Sequence, residues 1–129
     1  MTDLTDWQSQ LRRGVIELLV LALIDREPTY GYEIVTALEA MPQLAVSEGT
    51  VYPLLRRLRK ERLLDTFWQE SAAGPPRQYY KLTAEGRRYL ETLRREWRAA
   101  SASVDRFLGG GGRRDERCPP GSPRSPLVP

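Results

Sequence analysis

Apolar residues recur along this chain with periods that predict helices, then strands, then a helix again. From Gln10 to Asp25, Leu11, Val15, Leu18, Leu19, Ala22 and Leu23 keep helical spacing, while Ile16, Val20, Leu21 and Ile24 fill most of the remaining circumference. A helix over 10–25 that is apolar nearly all round has to be covered on more than one side. In so short a chain, the second cover is expected to be another subunit. Glu27, Pro28 and Thr29 break this helix, and a second is expected from Tyr30 or Gly31 to Met41, burying Ile34 and Leu38, with Met41 a third candidate, before Pro42 ends it.

The third periodic stretch, 47–64, carries the most chemistry. Val51, Leu54, Leu55 and Leu58 fall at i, i+3, i+4 and i+7 and mark the face to be buried. Gly49, Pro53, Arg56 and Lys60 point away from it, with Tyr52 and Arg59 on one flank and Thr50 and Arg57 on the other. Residues 56–62 hold Arg56, Arg57, Arg59, Lys60 and Arg62 against the single acid Glu61, without the alternating signs that support a merely solvated helix. Pro53 leaves two readings of the helix start. With Thr50 as N-cap it lies in the first turn, where its missing N–H costs nothing; with a start at Ser47 it should bend the helix.

The period then changes to two. Leu64, Thr66 and Trp68 alternate with Asp65, Phe67 and Gln69, and Gln78, Tyr80 and Leu82 alternate with Arg77, Tyr79 and Lys81. The intervening SAAGPP is turn-forming, so the pair reads as a β-hairpin whose tip and second strand are expected to be basic. Helix, helix, basic helix, hairpin is the order of a winged helix-turn-helix. Thr83 next caps a long helix with Glu85 in its first turn. Along it Gly86, Leu90, Leu93, Trp97, Ala100, Val104 and Phe107 recur at spacings of 4, 3, 4, 3, 4 and 3, a coiled-coil seam whose partner is a copy of itself or the first helix of a second protomer. From Gly109 the Gly-, Pro- and Arg-rich sequence predicts a flexible tail. The expected fold is therefore mainly α with a small β-hairpin. It comprises a winged helix-turn-helix over 1–82, a dimerisation helix over 83–108 and a tail over 109–129.

Composition narrows the function. The net charge is only +3, but residues 1–55 carry three basic against eight acidic residues, a balance of −5, so the basic excess is a downstream patch suited to nucleic acid. The chain has no histidine and one cysteine, Cys118, which argues against zinc, His-based catalysis and an internal disulfide. No metal or cofactor is expected. The apolar run from Val15 to Ile24 is too short to span a bilayer, and no signal peptide precedes it, so a cytoplasmic protein without membrane partners is expected.

Over about 11–108 these residues resemble the PadR family of bacterial transcriptional regulators. LRRGVIELLVLALIDREPTYGYEIV is similar to the family's first two helices, SEGTVYPLLRRLRKERLL to its recognition helix, and FWQESAAGPPRQYYKLTAEGRRYL to its wing and exit, with GTVYPLLRRL the most specific run. The single helix after the wing resembles the short PadR subfamily. The resemblance implies that Tyr30, Tyr32, Ser47, Thr50 and Tyr52 touch the DNA backbone, that Gly49, Pro53 and Arg56 face the groove, and that Arg57, Lys60, Arg77 and Gln78 add phosphate or minor-groove contacts. Dimerisation is expected through Leu11, Val15 and Leu18 of the first helix with Leu90, Leu93, Trp97, Ala100, Val104 and Phe107 of the last. Trp97 matches a position from which paired tryptophans in some short members sandwich planar aromatic molecules, and Trp7 is a second candidate for such an effector site. One departure is Arg62, where the family usually turns with glycine. The expected function is sequence-specific binding of double-stranded operator DNA by a ligand-responsive homodimeric repressor on a palindrome. The alternative is a winged-helix protein-interaction module without specific DNA binding. Neither is an enzyme, since nothing in the sequence pairs a general base with a nucleophile.

Overall fold

The computed structural model describes residues 4–109. In order they form α1 (Leu4–Arg26), β1 (Thr29–Tyr30), α2 (Gly31–Glu39), one 3-10 turn (Pro42–Leu44), α3 (Glu48–Lys60), β2 (Leu64–Gln69), β3 (Arg77–Leu82) and α4 (Ala84–Leu108). The chain divides into two compact units after Glu91, within α4. Cys118 and the expected tail, apart from Gly109, lie outside the described residues.

The first unit is the winged helix-turn-helix. Ile16, Val20, Leu21 and Ile24 of α1, Ile34, Val35 and Leu38 of α2, and Val51, Leu54, Leu55 and Leu58 of α3 are buried together with Leu64, Leu82 and Leu90. The α3 stripe is thus the one its spacing marks. The sheet has three strands in the order β1-β3-β2, all antiparallel. The hairpin agrees with the expected strands, but the pairing of Thr29 with Tyr80 and Tyr30 with Tyr79 was not anticipated. Two residues are too few to show a period, so β1 is defined only by the edge it joins.

Other boundaries differ from expectation for identifiable reasons. α1 begins at Leu4 and not at Gln10, because Leu4, Trp7 and Leu11 extend the helical spacing and Asp6 sits in the favourable first turn. α2 stops at Glu39, leaving Met41 exposed. Arg12 ties α1 to the loop between α2 and α3: its Nη1 donates to the carbonyls of Leu44 at 2.9 Å and Ala45 at 3.0 Å, and Ala45 is left-handed at φ 51°. A charge that sequence alone counts as basic surface thereby fixes the approach to α3.

The end of α3 explains Arg62. Leu63 N–H donates to Leu58 O and Arg62 N–H to Arg59 O, both at 2.9 Å, with Arg62 at φ 65°. This is a Schellman ending with arginine in the left-handed position that glycine usually fills, at a cost of about 1 kcal/mol. The next corner is bound to it. Thr83 Oγ1 donates to Arg62 O at 2.8 Å and accepts from Gly86 N–H at 2.9 Å, so Thr83 caps α4 as expected and locks it to the α3 turn. A Cβ at Gly86 would overlap the Leu63 carbonyl, and only glycine allows this approach.

One dimerisation residue is corrected here. Leu90 is 1% exposed within its own chain, which leaves it no surface to offer a partner. The second unit, from Thr92, contains among the described residues the rest of α4, and there the seam is open. Trp97, Val104 and Phe107 are 46%, 54% and 93% exposed.

Candidate nucleic-acid interface

The outer face of α3 is exposed at Gly49, Pro53, Arg56, Arg59 and Lys60. Ser47 is the N-cap residue, with its carbonyl accepting from Thr50 N–H at 3.0 Å and Val51 N–H at 3.1 Å, so the helix starts ahead of Pro53 and not at Thr50. Pro53 accordingly lies in the second turn, where it has no N–H to offer the Gly49 carbonyl. The Ser47 hydroxyl makes no capping bond. Gly49 is not small for internal reasons. A Cβ there would meet nothing closer than Ser47 Oγ at 3.7 Å, an ordinary contact.

Arg56, Arg59 and Lys60 have no ion pair among the described residues. Arg57 differs from its neighbours. Its Nη2 lies 3.0 Å from Glu17 Oε1 and its Nη1 3.1 Å from Glu61 Oε2, while the Tyr89 phenol, raised chiefly by burial, is raised further by the same Glu17. Arg57, expected on a phosphate or in the minor groove, joins α3 to α1 through Glu17. The i, i+4 pair with Glu61 corrects the expectation that this stretch lacks such pairing, and the approach of Glu17, forty residues away, has no signal in the sequence.

Tyr52 packs across Gly31, where a Cβ would come within 2.4 Å of its ring; glycine at the start of α2 is what lets the two helices meet. Burial raises the Tyr52 phenol above its ordinary 10, helped by Glu48, and burial also raises Tyr80, opposed by nearby Arg59 and Arg56. Both hydroxyls therefore stay protonated donors throughout the physiological range. Tyr32 is exposed on α2.

The wing is joined to this surface by an aromatic ladder across the sheet. Tyr30 of β1 lies 5.2 Å from Tyr79 of β3, which lies 5.5 Å from Phe67 of β2. The Arg77 guanidinium sits 4.5 Å from the Tyr30 ring centre and donates to its hydroxyl at 3.1 Å, so these two predicted contact residues form one preset unit. Between α2, α3 and the wing lies a cleft of about 440 Å3 lined by Tyr30, Tyr32, Tyr52, Arg77 and Gln78. The same cleft is lined by Trp68 and Tyr80, two residues that sequence reading did not assign. Both share a face of the hairpin with the buried Leu64 and Leu82, and alternation alone does not show that this face opens onto the cleft.

Residues 20–92 match the model of the Transcriptional regulator PadR-like family. The chain belongs to this family. A PadR-like transcriptional regulator from Bacillus cereus is 40% identical over 78% of this chain and 97% of its own, with a TM-score of 0.72. An uncharacterized protein X of Lysinibacillus sphaericus is 30% identical over 105 residues, covering 80% of this chain and 96% of that protein. PadR of Bacillus subtilis, solved in complex with operator DNA, is similar in fold at 20% identity and a TM-score of 0.54, over 61% of this chain and 45% of its own. This PadR-like protein is thus a transcriptional regulator and not an enzyme. Among the described residues no helix is long and apolar enough to cross a membrane.

Proposed function

We propose that this regulator is a homodimeric repressor that binds a palindromic operator in the cytoplasm. The observation that carries the reading is the outer face of α3, where Arg56, Arg59 and Lys60 have no carboxylate partner among the described residues and follow a glycine with room for a larger side chain. Unpaired guanidinium and ammonium groups suit phosphates and guanine edges, and an unforced glycine suits a close approach from outside the chain. Ser47, Thr50, Tyr30, Tyr32 and Tyr52 hold the backbone, Gly49, Pro53 and Arg56 face the major groove, and Lys60, Arg77 and Gln78 add flanking contacts. The Bacillus subtilis PadR complex with operator DNA supports the same partner for this chain.

The dimer rests on two open apolar surfaces. On α1, Leu4 and Trp7 are exposed and Leu11, Val15 and Leu18 are half-buried along one stripe; on α4, Trp97, Val104 and Phe107 are exposed and Leu93 is half-buried. A palindromic operator with half-sites one turn of B-DNA apart calls for a two-fold dimer that presents two α3 helices at about 34 Å. A planar aromatic effector stacking on Trp97 or Trp7 would change that spacing and release the operator. Selection of duplexes from a random pool tests the reading: inverted repeats with half-site centres one helical turn apart are expected. An unenriched pool, with binding equal for all sequences, would instead favour a protein-interaction module.

A further inference from the structure

The wing carries a residue whose exposure the DNA contacts assigned above do not explain. Trp68 pairs with Gln78 at the outer end of the core-facing side of the hairpin, beyond the buried pair Leu64 and Leu82, and is 68% exposed. Two concavities meet at its indole. One is the cleft between α2, α3 and the wing; the other is a hollow of about 380 Å3 at the wing tip, lined also by Gln69, Glu70, Pro75 and Pro76.

The tip is fixed in shape. Ser71 Oγ donates to the Pro75 carbonyl at 3.1 Å, Gly74 supplies φ 136°, and the consecutive prolines Pro75 and Pro76 stiffen the return into β3. It is also without positive charge, which corrects the expectation of a basic tip: from Glu70 to Pro76 the only charged residue is Glu70. Such a tip cannot gain affinity by displacing counterions from phosphates. It offers instead an open indole and two pyrrolidine rings, rigid and adjacent to the Arg77 guanidinium and the cleft tyrosines.

We propose that Trp68, with Pro75 and Pro76, is an apolar wedge that packs against the deoxyribose rings of the minor-groove wall of the bound duplex. The proposal rests on the DNA-binding reading above and adds the surface by which the wing grips. Deoxyribose carbons are the apolar part of the DNA backbone, and they flank the phosphate ridge that separates the groove entered by α3 from the groove beside the wing. The contact is non-ionic, so its contribution is independent of salt, in contrast to that of Arg77. A ribose 2′-hydroxyl would set a polar group against the indole, so the wedge favours DNA over an RNA–DNA hybrid.

The chain has three tryptophans, so replacing Trp7 and Trp97 by phenylalanine leaves Trp68 as the only indole. This variant is titrated with a duplex selected by the unsubstituted chain from a random pool, with binding followed by anisotropy of the labelled duplex. The Trp68 emission is expected to shift to the blue and lose intensity as the duplex saturates. In the otherwise unsubstituted chain, Trp68→Ala is expected to bind about tenfold more weakly at low and at high salt, with an unchanged salt slope. Trp68→Phe should recover most of the loss, whereas Arg77→Gln should reduce the slope by about one. Binding by Trp68→Ala at full affinity, or an indole emission unmoved at saturation, overturns the wedge while leaving the DNA reading intact. Should the unsubstituted chain enrich no duplex, the DNA reading itself fails and the wedge with it. Because the fluorescence measurement keeps Trp68, it decides the matter even if Trp68→Ala does not fold.

Discussion

Substituting Gly49→Ala separates what α3 needs for folding from what it needs for its partner. Gly49 is the second residue of the helix, exposed, with its nearest prospective Cβ contact 3.7 Å away. The chain therefore accepts the methyl without displacement. Alanine is favoured over glycine inside a helix by about 0.5–1 kcal/mol, so the melting temperature should hold or rise by a few degrees. At the DNA face the same methyl enters a contact between backbone and groove. Overpacking a fitted surface costs about 1–3 kcal/mol, which at about 1.4 kcal/mol per tenfold weakens operator binding between about fivefold and about a hundredfold. No charge is lost, so the salt slope should not change. Thermal unfolding and duplex titration on the same preparation read the two effects. A variant that melts higher and binds as tightly and selectively as the parent refutes the reasoning, because Gly49 would then be small for no reason of approach.

The geometry leads to three further outcomes. Arg62→Gly relieves the left-handed arginine at the end of α3 and should raise stability by about 0.5–1 kcal/mol, read as an upward shift in the denaturant midpoint; a loss would mean that the Arg62 side chain contributes more than its backbone costs. DNA affinity should be flat between about pH 6 and pH 9, because the chain has no histidine and burial lifts Tyr52 and Tyr80 above 10. Both phenols keep their donor proton across that window and lose it only above about 10, so a titration step near pH 6–7 would contradict this assignment. Phe107→Glu places a charge on the most exposed apolar residue of α4 and should shift the chain to monomer in analytical ultracentrifugation, with operator affinity falling in parallel; an unchanged dimer would remove the seam from the account.

The parts of this fold that were legible in the sequence are those where one element's own spacing decides the outcome. The α3 stripe, the hairpin with its Gly-Pro-Pro tip, and the Thr83 cap appear as their residues predict, because each depends on neighbours within a few positions. The features that could not be read depend on distant partners. Leu90 keeps a perfect seam spacing and yet belongs to its own core, since the seam period does not distinguish a face turned inward from one turned outward. Arg57 reads as one more cation until Glu17 arrives from α1, and Arg12 as surface charge until the carbonyls of Leu44 and Ala45 converge on it. Trp68 alternates with core residues, but the strand runs on past the core, and its last inward position opens onto the cleft. Pro53 stands in the second turn of α3 at a cost local propensity would forbid, which is consistent with a helix face selected for a partner.

The central claim is that the unpaired cations of α3 bind a specific DNA sequence, and the most direct measurement is duplex titration of the Arg56→Ala, Lys60→Ala double variant over a range of salt. Both residues are exposed and without ion pairs among the described residues, so the fold should be unaffected. The account predicts loss of preference for the selected duplex over random DNA, together with a salt slope reduced by about two. Undiminished, sequence-selective binding with an unchanged slope would contradict it.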